Sequence, residues 1–321
     1  MALKVSKNDV FAKKGRCDYF STNLKVALAN ANPNSKFCNK YIKSTFCGKV
    51  LEKKGDKVTG LYCNQRWCVT CNRIRTSKLI TQYLPEVKKI ENLYFVTLTL
   101  RNCKEKDLRK TVKWMISTWS KIQKKIVRKE KIKGFRKLEV TYNQKFNDYH
   151  PHFHAIINGE NNSKKIIEQW ILECEENNIS VDSKWQNYKP ADLKSIKELF
   201  KYTTKILPSK KKNQTWESIY KNQNITKQLL ISQDVIYRSL EMVRCFQPFG
   251  IRIKKEDIES ELTELVSQEI AINKPDGTYF RDKNGNWDHI LYDIKLHDTM
   301  LSENLINIVK LMCGSYISVR I

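Results

Sequence analysis

Histidine is scarce in this chain. Five imidazoles stand among 321 residues, and three of them, His150, His152 and His154, fall within "YHPHFHAII" at residues 149–157. Acidic residues are also few, 34 against 59 Lys and Arg, for a formal net charge of +25. Such an excess attracts a polyanion by Coulomb steering and by release of condensed counterions, so nucleic acid is the favoured partner. Long apolar runs are missing as well: no stretch approaches 18 residues, and the start "MALKVSKNDVFAKK" has no apolar core of an export signal. The sequence therefore reads as a soluble cytoplasmic protein with no membrane partner. Internal repeats are absent, and "SKKKNQ" at 209–214 is the one biased tract, read as a linker.

The positive charge is uneven. Residues 251–321 hold nine Lys/Arg and twelve Asp/Glu, which leaves +28 on residues 1–250. Ten cysteines without an export signal point away from disulfides, and their spacing says what they do. Five crowd into residues 38–71, where "CGKVLEKKGDKVTGLYCNQRWCVTC" sets a Cys-Gly knuckle, a turn-rich hairpin and then C-x4-C-x2-C. Two thiolate pairs joined by a hairpin can wrap one tetrahedral Zn²⁺, and Cys47, Cys63, Cys68 and Cys71 are the expected ligands, with Cys38 as the rival for Cys47. Gly48 beside the first ligand is expected to let backbone amides approach its sulfur.

"LYFVTLTL" at 93–100 suits a central strand with Thr97 and Thr99 on one face. In the segment that follows, Val112, Met115, Ile116, Trp119, Ile122 and Ile126 recur at helical spacing. Residues 101–137 carry fifteen Lys/Arg against three acids, more than a solvated face needs, so this helix is expected to contact phosphates. "FRKLEVTYN" and "YHPHFHAII" read as a hairpin, followed by helices at about 164–178 and 190–206, the second opened by Pro190. The class is α+β, an antiparallel sheet with packed helices. Three regions are expected: an N-terminal zinc-binding module over 1–90, a catalytic domain over 91–208 and a C-terminal region over 209–321 of unassigned role.

On a strand, residues i, i+2 and i+4 share a face, so His150, His152 and His154 project together. If the hairpin pivots near residues 145–146, Glu139 faces His152. Two imidazoles and a carboxylate leave coordination positions open, the mark of a catalytic rather than a structural metal. Beside a polyanion this suggests phosphodiester chemistry. "SIKELFKYTTKI" offers Tyr202 as nucleophile, with Glu198 four residues before it and Lys205 three after it on the same helical face. Glu198 is placed to take a proton from water, and Lys205 to lower the tyrosine pKa or hold a phosphate.

"YFVTLTL", "HPHFHAII" and "ELFKYTTK", in that order after the Cys-rich segment ending "RWCVTCNRIR", resemble the three motifs of the rolling-circle plasmid replication initiators, the single-tyrosine Rep proteins among the His-hydrophobe-His (HUH) endonucleases. The resemblance spans roughly residues 45–250 and includes "EMVRCFQPFGIRI", whereas residues 255–321 match nothing in it. It implies that His152 and His154 hold Mg²⁺ or Mn²⁺, that Tyr202 nicks the plasmid's double-strand origin, and that Glu198 activates the water that ends replication. Its partners would be origin DNA, a host helicase, a DNA polymerase and a single-strand binding protein, with a homodimer also compatible. Val69 stands where the family usually has Pro inside its C-P-x-C pair. An insertion-sequence transposase of the same chemistry is the nearest alternative. A conjugative relaxase would put its tyrosine ahead of the histidines, and a non-catalytic zinc-bearing regulator leaves the histidine comb unexplained.

Overall fold

The computed structural model of the chain describes residues 21–54, 57–200, 226–251, 277–281, 287–290 and 317–320. The chain divides into two compact units, each built from separated segments. One comprises Met1–Lys78, Leu207–Ile231 and Glu259–Ile321, the other Leu79–Ile206 and Ser232–Ile258.

In the first unit, helical residues 21–31 (α1) and Cys38–Lys43 (α2) lead through a 3-10 turn, Ser44–Phe46, to strands β1 (Val50–Lys54) and β2 (Lys57–Tyr62). Lys54 pairs with Lys57, which makes the turn-rich stretch a hairpin. Strands β8 (Gly277–Arg281), β9 (Trp287–Ile290) and β10 (Ile317–Arg320) complete an antiparallel sheet in the order β10-β2-β1-β8-β9. Helix α3, Val69–Lys88, begins here, and its residues from Leu79 belong to the second unit. Buried Trp67 anchors the small core, with its ring 4.8 Å from Tyr41 and 5.2 Å from Phe37 and its Nε1 donating to Ser44 Oγ at 3.0 Å.

The second unit is built on an antiparallel sheet in the order β6-β3-β5-β4-β7. Its strands are β3 (Leu93–Thr99), β4 (Gly134–Asn143), β5 (Asp148–Asn158), β6 (Asn187–Pro190) and β7 (Phe246–Phe249). One face carries Val96, Leu98, Leu138, Phe153, Ala155 and Ile157, and onto it pack α4 (Glu105–Ile122) and α5 (Glu160–Glu176). α4 buries Val112, Met115, Trp119 and Ile122 of the expected stripe and Leu108 beside them, while Ile116 and Ile126 are half-buried, and Glu105 and Asp107 in its first turn complement the helix dipole. Each such aliphatic side chain contributes roughly 1.5–3 kcal/mol on burial. A π-helical turn, Gln123–Val127, extends α4. Helix α7, Lys227–Ser239, adds Val235 and Ile236 to the same core. The other face carries Phe135 and Ile156, covered by Val87 of α3 and by Ile196, Leu199 and Phe200 of α6 (Leu193–Phe200).

Two local expectations change. Helix α5 starts at Glu160 rather than near 164: the polar "ENNS" is its first turn, closed by Asn162 Nδ2 donating to Asn158 O at 2.7 Å and Ser163 Oγ to Gly159 O at 3.0 Å. Pro190 does not open a helix. It ends edge strand β6, where a missing N–H costs the ladder nothing, and Asp192 Oδ1 accepts the Ser195 amide at 2.7 Å to start α6. Strands β6 and β7, four residues each, complete the sheet.

Candidate metal centres

The hairpin register brings the central group together. Glu139 lies opposite His152, and Lys137 opposite His154, while on the other side Thr97 faces His154 and Thr99 faces His152. All these residues share one face of the sheet because strand side chains alternate. Donor atoms of Glu139, His152 and His154 lie within 4.8 Å of one another, with His152 Nε2 3.8 Å from Glu139 Oε2. His152 Nδ1 donates to His150 O at 3.1 Å, which leaves the Nε2 lone pair directed at the carboxylate. Thr97 Oγ1 stands 3.3 Å from His154 Nδ1. His150 is engaged elsewhere: its Nε2 meets Thr99 Oγ1 at 3.0 Å and its Nδ1 Asn102 Oδ1 at 2.8 Å, while Asn102 Nδ2 donates to Asp148 Oδ1 at 2.8 Å.

The electrostatics suit a cation. Burial, aided by neighbouring His154, pushes the His152 imidazole down to about 4, so it is neutral and ready to donate a lone pair at pH 7. Burial works against charge on Glu139, but the Lys137 ammonium, 2.5 Å from its Oε1, outweighs this and holds the carboxyl below its ordinary range. Two imidazoles and a carboxylate fit a divalent ion with open positions. Lys137 is the residue that pattern reading missed. It lies two residues before Glu139 on the same strand, so period-two alternation was the available signal.

These shifts predict a pH response. His152 has a folded pKa below its unfolded value near 6.5, so the unfolded chain binds the extra proton and stability is lost as pH falls from about 6.5 toward 4; depressed Glu139 acts in the same direction. In chelator, lowering the pH from 7 to 5 should cost on the order of 2 kcal/mol at His152 alone. Urea unfolding of wild type and His152→Asn tests this. An equal loss in both proteins would show that His152 does not carry it.

In the first unit the four cysteines converge. Sγ separations are 3.4 Å for Cys47–Cys71, 3.5 Å for Cys47–Cys68 and 3.7 Å for Cys63–Cys71, close to the roughly 3.8 Å edge of a tetrahedron with 2.3 Å metal–sulfur bonds. All four are buried. Cys38 stands apart, with its Sγ 3.8 Å from Ala29 O. The amide reaching Cys47 Sγ, at 3.3 Å, is that of Cys63 rather than of Gly48. Gly48 instead adopts φ 75°, a left-handed turn that suits glycine, and donates its N–H to Leu61 O at 2.8 Å. Lys25 of α1 is 1 % exposed beside the sulfurs and donates to Ser44 O at 2.8 Å. Burial works against its ammonium, yet charge on Cys68 raises its pKa, and the same pairing helps hold Cys68 well below the usual thiol range despite its burial. A buried cation beside the Cys68 thiolate partly offsets its negative charge.

Glu198 falls within α6, whose Phe200 packs on the histidine face against Phe135 at 5.4 Å; Tyr202 and Lys205 lie outside the described residues. Among the described residues, no helix is long and apolar enough to cross a membrane.

The model of the replication protein family Rep_1 matches residues 56–278. Protein rep of Staphylococcus aureus is 35 % identical over 131 residues, covering 37 % of this chain and 54 % of its own length. Protein rep of Streptococcus pneumoniae serotype 2 is 29 % identical over 177 residues, covering 48 % and 53 %, and that of a Bacillus species is 31 % identical over 134 residues, covering 38 % and 44 %. The matched segments thus span about half the length of these curated relatives. No solved structure matches. The chain belongs to the Rep_1 family of replication proteins, the family of rolling-circle plasmid initiators.

Proposed function

We propose that this protein initiates rolling-circle plasmid replication by nicking and rejoining one strand of the double-strand origin through a tyrosyl transesterification, with its second unit as an HUH endonuclease and its first as a zinc-binding module. The observation that carries the reading is the convergence of Glu139, His152 and His154 on one sheet face. Those three residues would hold Mg²⁺ or Mn²⁺, which when bound supplies Lewis-acid polarisation of a non-bridging phosphate oxygen. Cys47, Cys63, Cys68 and Cys71 would hold a structural Zn²⁺.

The chain's own residues then do the following. Lys137 ties down Glu139 Oε1, and the His150 carbonyl fixes the His152 tautomer, so the donor set is preorganised. Tyr202 Oη attacks phosphorus. A P–O bond to tyrosine forms, the P–O3′ bond breaks, the phenolic proton is lost, and the freed 3′-oxygen takes up a proton to become the primer hydroxyl. Lys205 favours the phenolate or holds a phosphate oxygen. Host helicase, single-strand binding protein and polymerase then extend and unwind. At termination Glu198 deprotonates the water that attacks the regenerated junction.

The test is incubation with supercoiled DNA carrying the plasmid's own origin and Mn²⁺, followed by digestion and mass spectrometry of the protein. The expected result is nicked circles and one peptide bearing a 5′-phosphoryl nucleotide on Tyr202. An adduct on another residue, or binding without strand cleavage, overturns the assignment.

A further inference from the structure

The lysine-rich helix does not stand on the histidine side of the sheet. α4 packs on the face of Leu98, Phe153 and Ala155, so its outer surface looks away from the face that carries Glu139, His152 and His154. Along that surface Lys106, Lys110, Lys113, Lys124 and Arg128 are all exposed, and they recur at intervals that keep one stripe of a helix. Loop residues 129–133 add three more exposed lysines. From Lys106 to Arg128 the stripe runs roughly 30 Å, close to one turn of B-DNA.

Neighbouring acids are largely taken up. Glu105 pairs with Arg238 at 3.3 Å, Glu130 with Lys165 at 3.1 Å, and Glu173 of α5 holds Lys121 and Lys125 at 3.5 and 2.7 Å. Those last two pairs mark the edge of the stripe, whereas the five basic residues named above have no ion pair among the described residues. The surface also lacks what a single strand uses: none of the exposed large hydrophobic side chains, such as Phe146 and Trp185, belongs to α4, so no aromatic platform accompanies the charge. A row of point charges without stacking groups reads phosphates, and phosphates alone suit a closed duplex.

We infer that the outer stripe of α4 is a second DNA surface, which grips duplex by its phosphates without reading sequence, on the side of the sheet opposite the proposed cleavage site. This rests on the nuclease reading only for what the other face does. The duplex held there would be the uncut DNA beside the origin, which keeps the protein on its plasmid while a melted strand occupies the histidine face.

The test is binding of the full chain to an unrelated 30-base-pair duplex over a range of salt. The combined variant Lys106→Gln, Lys110→Gln, Lys113→Gln and Lys124→Gln should bind at least about tenfold more weakly near 0.1 M salt, with the slope of log K against log salt reduced by about 3. Lys113→Gln with Lys124→Gln alone should reduce it by about half as much, which keeps the test valid if the larger variant folds poorly. A wild-type slope in both glutamine variants overturns the inference, and so does an equal loss of affinity for a single-stranded oligonucleotide of the same length. The measurement needs no cleavage, so it stands apart from failure of the nuclease reading, which would appear as a missing tyrosyl adduct.

Discussion

With alanine at His152 or at His154, Mn²⁺-dependent cleavage of an origin strand should fall by roughly a hundred- to a thousandfold while origin binding persists. Each imidazole supplies one of three donors in the cluster, and the loss of Lewis-acid stabilisation worth about 3–4 kcal/mol is two to three powers of ten in rate. The fold should tolerate either change, since the apolar core on the far side of β5 is built from Phe153, Ala155 and Ile157. His150→Ala serves as the contrast. Its ring nitrogens are engaged with Thr99 and Asn102, so its loss acts through orientation, with an effect of about tenfold. Single-turnover cleavage and calorimetric titration with Mn²⁺ measure both quantities. Cleavage within twofold of wild type in both the His152 and His154 variants would sink the metal assignment.

The second large effect concerns the sulfurs. Wild type should carry about one zinc per chain by elemental analysis, and Cys68→Ser with Cys71→Ser should carry none and lose the folded first unit. Structural zinc contributes apparent folding energies of about 10–16 kcal/mol in small modules, far more than a compact core of a few aromatic side chains supplies. Lys25 adds to the loss, because its buried ammonium would be left without the thiolate that offsets it, and an unpaired buried charge costs about 3–5 kcal/mol. Circular dichroism with and without chelator reads the outcome. A zinc-free wild-type protein with a full, cooperative melting transition would refute the assignment.

How much was legible in the sequence follows from which forces are local. The face shared by Glu139, His152 and His154 could be read because period-two alternation and a short hairpin fix the register without tertiary information. The α4 stripe was equally plain, since 3.6-residue spacing is a property of the segment itself. Lys137 was hidden in a basic stretch, where its alternation with Glu139 looked like one more solvated charge. Strands β6, "NYKP", and β7, "FQPF", carry a proline each and are four residues long; they are strands only because Tyr94 and Lys137 offer open ladder positions beside them. Lys25 looked like an ordinary surface residue of a helix, and only the folded chain brings it 2.8 Å from Ser44 O, beside cysteines more than twenty residues away.

Ribosomal order gives the first unit an unusual history. β1 and β2 leave the ribosome early, but their outer neighbours are β8 at Gly277–Arg281 and β10 at Ile317–Arg320. At about 5–20 residues per second, the edge of β1 waits roughly 11–44 s for β8 and the edge of β2 roughly 13–50 s for β10, so a two-stranded ribbon stands with both edges open until β8 is made. Such edges invite strand addition from another nascent chain. The sulfurs offer a remedy, because Cys47, Cys63, Cys68 and Cys71 have all emerged by residue 71, within seconds of the hairpin. Zinc capture would then act as a timer as well as a staple, by tying Tyr62 at the end of the ribbon to the cysteine cluster long before β10 is made.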